Sequence, residues 1–117
     1  MAEDTQQALE DLVRPLFRPD AMVKTAEMDG GCLISASWRL GPHRMDNWSR
    51  EIQIVIPREV TERFAKLNEK GRSKANANLV SFVKLKLSDF HPEHDRPRYL
   101  LPPVEVWPVH YQDIFPK

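Results

Sequence analysis

Hydrophobic positions change period several times along this chain, and each change predicts an element. Over residues 5–17, Leu9, Leu12, Val13, Leu16 and Phe17 recur at the i, i+3, i+4, i+7, i+8 spacing of one helical face. Asp4 or Thr5 is placed to cap that helix. Pro15 predicts a kink or an end near it, and Pro19 closes the segment. Between residues 21 and 56 the period drops to two. Cys32, Ile34, Ala36, Trp38 and Leu40 alternate with Leu33, Ser35, Ser37 and Arg39. After a break at 41–47, Trp48, Arg50, Ile52, Ile54 and Ile56 alternate with Ser49, Glu51, Gln53 and Val55. Such alternation predicts strands with one apolar face. Asp29-Gly30, with Met28 and Gly31 on either side, is a two-residue type I′ hairpin signal, because both central positions need positive φ.

The helical period then returns. Pro57 stands at the start of a helix whose inward stripe is Val60, Phe64 and Leu67, and Gly71 is read as its end. Ser73 is read as the N-cap of a second helix, with Ala75, Leu79, Phe82, Val83, Leu87 and Phe90 on one side. Residues 79–87 admit a strand as well, since Val83, Leu85 and Leu87 alternate with Lys84 and Lys86. Helix is preferred, because 74–78 contains no β-branched residue. Six of the ten prolines fall between Pro92 and Pro116, which predicts an irregular tail. Its one short strand is Val104-Glu105-Val106-Trp107, confined to a sheet edge by Pro102, Pro103 and Pro108.

The predicted fold class is α+β: an N-terminal helix, a three-stranded antiparallel sheet, one or two helices packed on one face, then a proline-rich tail with a short edge strand. Residues 1–90 are read as one α+β domain and residues 91–117 as a tail packed on it.

Composition narrows this little further. The 117 residues are 41% hydrophobic and 29% charged, which excludes wholesale disorder, and no apolar run approaches membrane-spanning length. The acidic start and the single cysteine, Cys32, lead us to expect a cytoplasmic protein without a disulfide. Seventeen bases balance seventeen acids, but unevenly: residues 58–86 carry a net +5 between acidic ends of −3 and −2. Such a block is either an anion-binding patch or one solvated face.

Candidate chemistry is sparse. His91, His94 and Asp95 form the densest group of metal-ligand types, with His110 able to join from the tail, although Pro92 forbids a helical H-x-x-H arrangement. An exposed polar loop is the favoured reading, and no metal or cofactor is expected. Cys32, on the apolar phase of its strand, reads as a buried small hydrophobe. Trp38 and Trp48 both fall on the apolar phase and are expected in the core, while Trp107 is expected to pin the tail to the body.

The stretch Lys70-Gly71-Arg72-Ser73-Lys74 stands apart. If Ser73 caps a helix, free backbone amides and the side chains of Lys66, Lys70, Arg72 and Lys74 converge on a phosphate-sized anion. Gly71-Arg72-Ser73-Lys74, entering a helix with Ala75 and Ala77 after an α-β-β-β-α order, resembles the double-stranded RNA-binding domain in part. That resemblance implies phosphate contacts from the bases at the start of the last helix. It departs from the family in the helix read over 58–67 and in a net charge of zero. In size and style the chain also resembles small bacterial domains of unknown function, a resemblance that transfers no site. With no nucleophile elbow, phosphate loop or paired carboxylates, the leading expectation is a non-catalytic module that binds another macromolecule, first of all a protein. Nucleic-acid binding through residues 66–74 is the second reading. A metal-dependent enzyme built on His91, His94 and Asp95 is the third.

Overall fold

A short turn sets the register of everything that follows it. In the computed structural model, which describes residues 3–41, 48–96 and 99–116, Asp29 and Gly30 take φ of 51° and 81°. These are the positive values that a two-residue hairpin needs. The turn joins β1 (Met22–Met28) to β2 (Gly31–Ser37) with Met28 opposite Gly31. Gly31 is needed for a second reason: a Cβ there would run into the Ile56 carbonyl of β3 (Glu51–Ile56). β3 lies antiparallel to β2, with Ile34 opposite Ile54.

The sheet is four-stranded and mixed rather than three-stranded and antiparallel, in the order β1-β2-β3-β6. β6 (Val104–Pro108) runs parallel to β3, with Ile54 opposite Trp107. The crossover from β3 to β6 carries α2 (Arg58–Ala65), α3 (Glu69–Ser88) and the short pair β4 (Asp95–Arg96) and β5 (Tyr99–Leu100). A parallel partner needs such a long crossover, so the tail strand extends the sheet as a parallel edge. The tail also supplies α4 (Tyr111–Ile114) and three buried residues, Trp107, Val109 and Ile114. It is therefore less irregular than its prolines suggest.

α1 spans Glu3–Val13 and passes into a 3₁₀ turn at Arg14–Leu16, so Pro15 ends the helix as read. Asp4 and Thr5 lie inside α1 rather than capping it. The strand alternative for 79–87 is excluded, since α3 runs unbroken to Ser88. Its start differs from expectation: Asn68 is the N-cap, its side chain accepting from the Gly71 N–H at 2.8 Å. Gly71 therefore lies in the first turn of α3, and Ser73 lies in the helix rather than capping it.

The helices cover one face of the sheet. Cys32, Ile34, Ala36, Ile52, Ile54 and Ile56 point into that layer and are buried, against Leu9, Val13, Val60, Phe64, Leu79 and Val83. Phe90, just past α3, lies edge-on between Trp38 and Trp107, with ring centroids 5.8 and 5.9 Å away. Among the described residues, no helix is long and apolar enough to cross a membrane.

Candidate functional site

The other face of the sheet carries no helix. By register it presents Met22, Lys24, Ala26 and Met28 from β1, Leu33, Ser35 and Ser37 from β2, Glu51, Gln53 and Val55 from β3, and Val104, Val106 and Pro108 from β6. All are exposed or partly exposed. The face is polar along its middle, where Gln53 Nε2 donates to Glu51 at 2.8 Å, and apolar at its flanks.

One irregularity places an aromatic ring here. Between the Ala36–Ile52 pair and the Arg39–Trp48 bridge lie two residues on one strand and three on the other. That extra residue is a β-bulge at Ser49–Arg50. Ser49 N–H donates to the Trp38 carbonyl at 2.6 Å, and Ser49 Oγ accepts from the Trp38 N–H at 2.9 Å. The bulge inverts the phase of Trp48 relative to Ile52. Trp48, expected in the core beside Ile52, instead walls a hollow of about 220 Å³ on the open face with Met22, Lys24, Ser35, Ser37 and Glu51. The Arg39 guanidinium stands 5.4 Å over its ring.

Arg50 keeps the inward phase of Ile52 and Ile54 and is 3% exposed. Its Nε donates to the Pro102 carbonyl at 2.6 Å and its Nη1 to the His91 carbonyl at 3.0 Å. Nη2 meets Glu105 Oε1 at 3.3 Å, and the guanidinium lies 5.5 Å over the Phe90 ring. Trp107, read as the pin of the tail, is buried and donates its indole N–H to the same Glu105 carboxylate at 2.6 Å. Burial of an arginine is tolerated when its charge is paired and its nitrogens find acceptors, as all three do here. Alternation alone placed Arg50 on the apolar phase without revealing what would satisfy it.

Three bases of the block are engaged within the fold. Arg72 is partly buried, its Nη2 donating to the Phe64 carbonyl at 3.1 Å and its guanidinium 5.1 Å over the Phe64 ring, so it joins α2 to α3. Among the described residues its Nε is buried without a hydrogen-bond partner. Arg63 stacks on Phe115 and Lys86 on Phe82. Lys66 is the C-cap of α2 and is exposed, as are Lys70, Ser73 and Lys74 on α3. Because α3 starts at Glu69, Ser73 lies beyond its first turn. The amides that follow Ser73 have acceptors within the helix, so they are not free N-terminal donors. The convergence of amides and bases expected on Ser73 therefore does not form.

His91 and His94 are partly buried, and His110 is the N-cap of α4, its backbone N–H donating to Asp113 at 2.9 Å. The Asp95 side chain and the loop residues 42–47 lie outside the described residues. Among the described residues, no group of three His, Cys, Asp or Glu side chains is arranged to hold a metal ion. Cys32 is buried, and burial pushes its thiol up to about 11 from 9.0, with the Glu10 charge adding to the effect. A thiol kept protonated and covered is a poor nucleophile. No family model, curated protein or solved structure matches the chain.

Proposed function

We propose that this chain is a non-catalytic binding module whose partner is another protein, held on the open face of the sheet. One observation carries the reading: the helices cover a single face, and the other presents Met22, Met28 and Val106 at 47%, 41% and 52% exposure, with Met22 walling the Trp48 hollow. Side chains this apolar on an uncovered sheet face favour a contact surface, and Met and Trp are enriched where proteins meet. Lys24, Ser35, Ser37, Glu51 and Gln53 supply hydrogen-bonding groups between them. The carboxylate of Glu51 in the hollow disfavours a polyanion there.

Photo-crosslinkers placed at Ser35 and Val106, and at Ser81 on the exposed side of α3, test this in the cells that make the protein. The expected result is a protein adduct from Ser35 and Val106 and none from Ser81. Met22→Glu and Val106→Glu should abolish that adduct with the melting temperature unchanged. Adducts from Ser81 alone, or adducts to nucleic acid that depend on Lys70 and Lys74, would overturn the reading in favour of the basic helix.

A further inference from the structure

On the helical side, away from the open face, α2 borders a cleft of about 370 Å³. Arg58, Thr61, Glu62, Ala65 and Lys66 line one wall at i, i+3, i+4, i+7, i+8 spacing, and Thr5 of α1 and Gly30 of the hairpin turn close it. We propose that this cleft binds a phosphate group, held by the Arg58 guanidinium and the Thr5 hydroxyl.

Three features of the cleft point to such a ligand. Thr5 is 6% exposed and lines the cleft, yet among the described residues its hydroxyl has no hydrogen-bond partner. The hydroxyl is not sealed from the cleft, so with no partner among the described residues it is free to donate to a group that enters there. Arg58 and Lys66 also make no ion pair among the described residues. Finally, the Arg58 side chain crosses the hairpin turn so closely that a Cβ on Gly30 would stand 2.5 Å from its Nε. Gly30 thus lies directly against the base of the guanidinium.

The charges select the size of the ligand. Thr61 gives its proton to the carbonyls of Gly30 and Arg58, at 3.1 and 2.9 Å, so it braces the floor rather than donating to a ligand. The fork of the guanidinium matches two phosphate oxygens, and the Thr5 hydroxyl donates to a third. Glu62 lies one helical turn from Arg58 and one from Lys66, and Asp4 is exposed beside Thr5. A polyanion laid along the groove would meet Glu62, about 6 Å from Arg58 along the helix axis. A single phosphate at the Arg58 end avoids it.

Amide-resolved NMR titration of the whole chain at fixed ionic strength, with inorganic phosphate, phosphoserine and acetate in separate arms, tests the site. Saturable shifts are expected at Thr5, Gly30 and Arg58 with the two phosphates, and weaker ones with acetate. Tighter binding of phosphoserine assigns the group to a larger phosphorylated molecule, and tighter binding of inorganic phosphate assigns it to the free ion. Losing a hydrogen bond to a charged group should weaken binding by about tenfold in Arg58→Gln and Thr5→Val. Thr5→Ser, which keeps the hydroxyl, and Lys74→Gln, outside the cleft, should bind as the parent does. Shifts that grow linearly without saturating, an unchanged affinity in Thr5→Val, or an equal loss in Lys74→Gln would overturn the proposal.

Discussion

Arg50 shows how much one side chain can hold when each of its three nitrogens finds an acceptor. It draws Pro102, His91 and Glu105 to one point and places its charge over Phe90. Removing it leaves two carbonyls without this donor and the partly buried Glu105 carboxylate without its counter-charge. Truncation of one partner in such a network costs about 3–5 kcal/mol. Against a total stability of about 5–15 kcal/mol, Arg50→Ala should shift the urea midpoint strongly downward. A loss below about 1 kcal/mol would show that water replaces the guanidinium at these acceptors. Glu10 is a milder case: its bond from Arg14 at 2.8 Å holds its carboxyl below the ordinary 4.5.

The junction of α2 and α3 shows two eligible caps competing at the scale of an element. Asn68 and Ser73 both have side chains that cap helices, and the chain uses Asn68. Starting α3 at Glu69 lets the Arg72 N–H reach the Asn68 carbonyl at 2.9 Å, and lets the Arg72 guanidinium dock on Phe64. A start at Ser73 would forfeit a full turn of the helix and these contacts. Asn68→Ala should therefore cost about 1 kcal/mol in chemical denaturation, and Ser73→Ala, exposed within the helix, close to nothing. A larger loss in Ser73→Ala than in Asn68→Ala would return the cap to Ser73.

Across the whole molecule, the carboxy-terminal segment belongs to the core. β6 closes one side of the sheet, and Trp107, Val109 and Ile114 are buried against the helices. Asn78 Nδ2 on α3 donates to the Ile114 carbonyl at 2.8 Å, tying the end of the chain to the helix layer. A chain truncated after Pro103 loses an edge strand and these three side chains together. Burying a large apolar side chain is worth about 1.5–3 kcal/mol, so the truncated chain should lack a cooperative thermal transition and bind a hydrophobic dye. A cooperative transition close to that of the full chain would show the tail to be an appendage.

What the sequence by itself determined was local. Asp29-Gly30 specified its turn because few residue pairs tolerate two positive φ values in succession, and the spacing of Leu9 and Val13 specified a buried helix face. The α+β class followed from those periods. The sheet face that Trp48 would take was not legible, because Trp48, Arg50 and Ile52 alternate without interruption and a bulge is a property of two strands' register. Neither was the parallel docking of β6, decided by contacts across a crossover of nearly fifty residues. The phosphate cleft has the same origin: Thr5, Gly30 and Arg58 are remote in sequence and meet only when α1, the hairpin and α2 pack together. Periodicity reports which face of an element is apolar, whereas a site is made where elements meet, and that is settled by packing.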